Sequence, residues 1–213
     1  MTTRKAKSRR PESGRRSPRA TAGGPVLVPE RWHLLVYRVP SEPSRNRVSV
    51  WRELKRQGAL FLQSCVCILP DLPACRKGIA AAIEKVATAG GTHFLFPIGG
   101  LDRRQTARLV SAFRQLSAKE YEEIVEECQT KFVKEIAFER GRENFTYEEA
   151  EEIREDYEKI CRWFERIVAR DWFRAGRRAY VATQLERCRK LLEAFEEEVY
   201  LRADHDPSAH DDP

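Results

Sequence analysis

The chain has 213 residues, 41% of them hydrophobic and 34% charged, and 39 Lys+Arg against 33 Asp+Glu give a formal net charge of +6. That length is one domain or two small ones at roughly 100–200 residues each. The apolar content excludes a chain disordered throughout, and no apolar run approaches the ~18–20 residues that cross a bilayer.

The charge is unevenly distributed. Residues 1–31 carry 9 basic and 2 acidic side chains, residues 32–116 carry 13 and 5, and residues 117–213 carry 17 and 26. A basic first half joined to an acidic second half points to an anionic partner, nucleic acid or a membrane surface, at one end.

Residues 1–29 are rich in Arg, Lys, Ser, Pro and Gly without apolar periodicity, and are expected to form a disordered basic arm. Its Arg9-Arg10 and Arg15-Arg16 pairs suggest twin-arginine export, but no apolar segment follows them. A cytoplasmic protein with reduced thiols is therefore expected, and Cys65, Cys67, Cys75, Cys128, Cys161 and Cys188 are read as scattered core residues. Basic arms of this kind bind nucleic acid without sequence preference.

Trp32 to Val39 is a continuous β-prone run stopped by Pro40, hence a buried strand. A helix is predicted from Ser44 to Gln57, with Ser44 as its cap, Val50, Trp51 and Leu54 on the inward face and Gly58 ending it. Leu60 to Leu69 reads as a second strand closed by Pro70. Pro73 to Ala89 reads as a helix with Ile79, Ala82, Ile83 and Val86 inward, and Thr92 to Ile98 as a strand that Pro97 places at an edge. The order is β-α-β-α-β, with helical crossovers suited to neighbouring parallel strands. Splitting Leu60–Pro70 would give the ferredoxin-like arrangement, but eleven residues leave little room for a hairpin, so three strands are expected and a fourth is an option.

From Leu101 the chain reads as helical. Asp102 with Gln105, Ser117 with Glu120 and Thr146 with Glu149 are candidate capping boxes. Residues 118–140 and 146–170 each carry an apolar stripe and are joined by five residues, which predicts an antiparallel helical hairpin. A last helix covers roughly 177–201, and residues 203–213 form an acidic, disordered tail. The predicted organisation is a ferredoxin-like α+β or α/β module over 30–100 followed by an α-helical region over 101–202.

The segments Trp32–Pro40, Arg45–Ala59 and Leu60–Asp71 resemble the opening of the ChrB-type chromate-resistance proteins: a strand, a helix with Val-x-Val-Trp-Arg-x-Leu followed by Gly-Ala, then a strand ending in Leu-Pro. The resemblance continues through Gly91, Leu101-Asp102, Phe113, Tyr121 and Arg170-Asp171-Trp172-Phe173, and covers roughly residues 32–200. It implies a chromate-responsive transcription regulator that binds the promoter of a chromate-efflux operon. It also implies a ferredoxin-like first module of the kind shared with the phenylacetate-catabolism repressor and a CRISPR adaptation nuclease. Chromate is the implied effector. The sensing role is attributed mainly to a C-terminal domain that full-length members usually carry, and this chain is expected to lack it.

The candidate phosphate-binding residues are Arg45, Arg52 and Arg56, spaced i, i+7, i+11, with Arg47 and Lys55 flanking them. Guanidinium groups bind phosphate oxygens bidentately. Arg103, Arg104 and Arg108 form a second cluster at a helix start, where they oppose the dipole; they either extend the first patch or pair with the acidic helices. Cys65 and Cys67, read on one strand, share a face, but the ligand spacing of a metal site is missing. There is no glycine-rich phosphate loop, nucleophile elbow or metallohydrolase motif, and the first strand has no acid where a nuclease aspartate would sit. A non-enzymatic DNA-binding homodimer with no cofactor, no metal and no membrane contact is expected. The alternatives are an interaction module partnering a separate sensor domain and a protein that detoxifies chromate through its thiols.

Overall fold

The computed structural model describes residues 28–203. The basic arm and the acidic tail expected from the sequence lie outside these residues, apart from Val28, Pro29 and Ala203.

The first module runs β1 (Arg31–Arg38), α1 (Ser44–Arg56), β2 (Leu60–Gln63), β3 (Val66–Pro70), α2 (Pro73–Thr88) and β4 (Thr92–Gly99). The sheet order is β2-β3-β1-β4 and every neighbouring pair is antiparallel. Two expectations are corrected here. Leu60–Pro70 does divide into two strands, because Ser64 and Cys65 alone make the turn and a two-residue hairpin needs no more. No two neighbours are parallel, because β3 inserts between β1 and β2, the strands that α1 connects. The architecture is α+β, with a four-stranded antiparallel sheet followed by a helical region.

Strand alternation sends the side chains to two separate cores. Leu35 and Tyr37 of β1 with Cys67 and Leu69 of β3 face α1 and α2, and meet Val50, Leu54, Ile79, Ala82 and Val86. Trp32 and Ile68 face the other way and meet Val110, Phe113 and Phe173. The second face is covered over only part of its length. On the edge strand β4, Phe94 and Phe96 stay 64% and 48% exposed and stack on each other at 6.2 Å.

The helical region contains α3 (Arg103–Glu126), a π-helical segment (Glu127–Phe132), α4 (Val133–Gly141), α5 (Tyr147–Arg170) and α6 (Arg178–Ala203). Asp102 and Gln105 form a reciprocal capping box at the start of α3, and Thr146 accepts from the Glu149 N–H at the start of α5. Ser117 caps nothing: it is buried inside α3, which starts fifteen residues earlier than the Ser117 box required. Ser44 is likewise not a cap. Pro43 occupies that position and Ser44 is the first helical residue, since proline's fixed φ suits the entry to a helix.

The π-helical segment has a reason in the sequence. Ile124, Cys128, Phe132 and Ile136 are all buried and lie four residues apart. Each four-residue step turns an α-helix by about 400°, so three steps would carry the stripe roughly 120° away from its partners. The wider π turn holds more residues and brings the stripe back. Arg140 pairs with Glu198, Arg154 with Glu196, and Arg170 with Glu120. These pairs put α5 antiparallel to both the α3–α4 rod and α6, in a three-helix bundle cored by residues such as Phe164, Leu192 and Phe195.

Arg170-Asp171-Trp172-Phe173 is the joint between bundle and sheet. The Asp171 carboxylate accepts from the Ala175 N–H at 3.0 Å and from the Tyr121 hydroxyl at 3.2 Å. Arg114 donates to the Phe173 carbonyl at 2.9 Å, and Phe173 fills the core between Trp32 and Phe113. Trp172 packs against both sheet cores.

Candidate nucleic-acid interface

Helix α1 lies on the outside of the sheet with its buried side fixed by Val50, Glu53 and Leu54. At 100° per residue, that stripe sends the rest of the helix to two flanks. Arg45, Arg52 and Arg56 fall on the flank facing α2. They line a concavity of about 590 Å³ with Ser44, Ser49, Glu53 and Lys85. The sequence expectation grouped these three arginines, and the structure brings them together. It adds Lys85, which sits 40 residues from Arg45 and could be found only once α1 and α2 were known to pack side by side.

Glu53 organises this cleft. Its residue is 5% exposed, and its carboxylate accepts from Arg56 at 2.6 Å and Gln57 at 3.0 Å and lies 3.3 Å from the Lys85 ammonium. Burial alone would raise its pKa. The hydrogen bonds from Arg56, Gln57 and Lys85 outweigh burial and hold it below the ordinary carboxylate range. The cleft's one carboxylate is thus charged and already engaged, while Arg45 and Arg52 make no ion pair among the described residues. Four cations against one buried anion leave the cleft positive.

On the other flank the sequence expectation is corrected at Trp51. It was placed in the core with Val50 and Leu54, yet it is 43% exposed. Residue 51 is 100° round the helix from residue 50, so it leaves the buried stripe as soon as Glu53 occupies the opposite margin. Lys55 sits over its ring, 5.2 Å from the centroid. Arg47 lines a second concavity with Trp51, Val48, Tyr37 and Cys65.

Arg103, Arg104 and Arg108 are exposed at the start of α3. That helix packs on the sheet face opposite α1, so four strands separate them from the α1 cations. They neither extend the first patch nor pair with the acidic helices: among the described residues none of the three forms an ion pair. Arg114 has a structural task, on the Phe173 carbonyl.

The cysteines divide. Cys65 is in the hairpin turn and exposed, whereas Cys67 is buried in β3, so they do not share a strand face as expected. Burial pushes the Cys67 and Cys75 thiols up to about 12. The thiolate is the reactive form, so burial disfavours reaction at both. The hydrogen bond to Cys188, with burial, raises Cys128 as well. At the far end of the bundle, Glu135, Glu139 and Glu149 converge with oxygens within 4.8 Å. Asn144 bridges two of them, donating to Glu139 at 2.6 Å and to Glu149 at 3.3 Å.

A family profile described as Protein ChrB, N-terminal, matches residues 47–206, well over half of the chain. The chain belongs to the ChrB family. The ChrB match begins at Arg47, so β1, which the sequence resemblance included, lies outside it. Protein ChrB of Cupriavidus metallidurans is 29% identical over 82 residues, 38% of this chain and 25% of that relative. The match thus spans about a quarter of the relative's length. No solved structure matches the chain. Among the described residues, no helix is long and apolar enough to cross a membrane.

Proposed function

We propose that the chain is a chromate-resistance regulator that binds promoter DNA, with α1 as the element that contacts phosphates. The observation that carries this reading is the α1–α2 cleft, where Arg45, Arg52, Arg56 and Lys85 converge around a Glu53 that is buried and already paired. Guanidinium and ammonium groups so placed neutralise phosphates and release counterions, a sequence-independent attraction. ChrB membership supports the chromate-resistance setting and a regulator in place of an enzyme. The β-α-β-β-α-β order with strands β2-β3-β1-β4 supports the ferredoxin-like reading of residues 30–100. Arg47 and Lys55 widen the contact along α1. Arg103, Arg104 and Arg108 are secondary in this reading, since a duplex laid on α1 meets them only by wrapping round the sheet. A homodimer, the usual solution for operator recognition, completes the proposal.

The test is binding of the chain to the promoter fragment of a chromate-efflux operon at low salt, followed by fluorescence anisotropy. Binding is expected, and Arg52→Ala with Arg56→Ala should weaken it by roughly tenfold or more. A chain that leaves the fragment free at low salt contradicts the proposal.

One observation favours a second reading, a non-catalytic interaction module. The β4 edge carries Phe94 and Phe96 to solvent without a charged residue in the strand, and such edges recruit other chains. Under that reading the chain leaves the promoter fragment free at low salt, and Phe94→Ser with Phe96→Ser abolishes its association with a partner chain in sedimentation velocity.

A further inference from the structure

We infer that the second concavity of α1 is a stacking site for an unpaired nucleobase of the bound nucleic acid. The inference rests on the phosphate-binding reading above and deepens it. Val48 and Trp51, at i and i+3 on α1, are 41% and 43% exposed and lie on the same open flank. They are not a stray surface pair, because they open into a concavity of about 310 Å³, within the ~300–1,000 Å³ range of small-ligand sites.

The walls suit a flat ring attached to an anion. Tyr37 of β1 and Val39, just past its end, supply apolar surface, and the Tyr37 hydroxyl is already committed to the Ser64 carbonyl at 3.3 Å. Arg47 stands at the rim, and Lys55 holds its ammonium 5.2 Å from the Trp51 centroid. The ring that would meet a base therefore has cations beside it that would meet the backbone of the same strand. Charge complementarity selects the occupant: a neutral apolar ligand has no use for Arg47 and Lys55, whereas a flat base joined to a phosphate matches both the half-exposed indole and the cations beside it. A nucleotide uses both.

Ser44 and Val48 line both concavities, so the stacking flank and the Arg45–Arg52–Arg56–Lys85 cleft meet along one ridge of α1. A strand crossing that ridge can place phosphates in the cleft and a base against Trp51. A base must leave its stack to reach the ring, which favours sites that are single-stranded, mispaired or easily opened. Aromatic stacking is sequence-tolerant and contributes about 5- to 150-fold in affinity per base.

The experiment compares the full chain with Trp51→Ala, Trp51→Phe and Arg52→Ala/Arg56→Ala. The probes are oligo(dT) and a duplex with one unpaired 2-aminopurine, each titrated at several salt concentrations. The proposal expects wild-type binding to quench the 2-aminopurine. Trp51→Ala should abolish the quench and lose about tenfold in affinity for both probes while keeping the wild-type salt slope. Trp51→Phe should retain most of both signals. Trp51→Ala binding and quenching like wild type, while Arg52→Ala/Arg56→Ala still weakens binding, overturns the stacking site and leaves the phosphate reading standing. Arg52→Ala/Arg56→Ala binding like wild type with an unchanged slope overturns the phosphate reading, and the stacking site falls with it.

Discussion

Glu53 and Asp71 show how single carboxylates fix the geometry around the candidate site. Glu53 is buried between α1 and α2 and holds Arg56 and Lys85 on the cleft. Replacing it with Ala leaves those cations solvated and unpaired, so the expected loss is moderate, about 1–2 kcal/mol in urea unfolding. Gly78 lies against the Gln57 side chain that Glu53 anchors, so a larger residue there would displace Gln57 from Glu53. Asp71 accepts from Arg76 at 2.5 Å and lies 2.7 Å from His33 Nε2. Arg76 first and His33 second hold the Asp71 carboxyl well down, at about 2. A carboxyl whose folded pKa is depressed stabilises the fold above its unfolded pKa, near 3.9, and loses that contribution as pH falls toward the folded value. Wild type should therefore be more stable than Asp71→Asn by a constant margin above about pH 5. The margin should shrink between about pH 4 and pH 2 and be gone below, as read from urea midpoints across that range.

At the scale of elements, α1 is held at its end as firmly as along its face. Gly58 has φ +71°, and a Cβ there would lie 3.1–3.2 Å from Arg170 and Trp172. Gly58→Ala should cost about 1–2 kcal/mol for the left-handed backbone alone, with the crowding added, measured by chemical denaturation. Most elements were legible in the sequence. Apolar periodicity placed α1, α2, α5 and α6 to within a few residues, whereas α3 starts fifteen residues before the helix expected from residue 118; the Asp102 and Thr146 caps were visible as residue types. Two features were less visible for stated physical reasons. The β2–β3 hairpin has a turn of only Ser64 and Cys65, without the Asn-Gly or Gly that usually marks one. Trp51 is an apolar residue on the rim of an apolar stripe, where type alone does not tell core from surface. The signal that could have moved it outward was Glu53, a charge at a buried helical phase that displaces the stripe away from residue 51. Lys85 was beyond reach because it joins the site through tertiary packing of α2 on α1.

At the scale of the molecule, β4 ends at Gly99 and α3 starts at Arg103, and packing crosses this change from sheet to helices. The first turns of α3 cover the sheet through Val110 and Phe113, and Phe173 returns from the end of the bundle to the same core. Phe173→Ala should remove about 3–5 kcal/mol. Because Phe173 contacts both parts, heat denaturation followed by far-ultraviolet and tryptophan signals should shift as one transition, not two. The uneven charge also takes shape: the basic half presents α1, and much of the acidic half is spent within the bundle on pairs such as Arg140–Glu198 and Arg154–Glu196. The central claim is that the α1–α2 cleft meets phosphates. Its most direct test is the salt dependence of promoter binding for wild type and for Arg52→Ala/Arg56→Ala. Each lost phosphate contact should flatten the plot of log Kobs against log[salt] by about 0.9, so the double variant should bind more weakly with a slope reduced by nearly 2. An unchanged affinity and slope would contradict it.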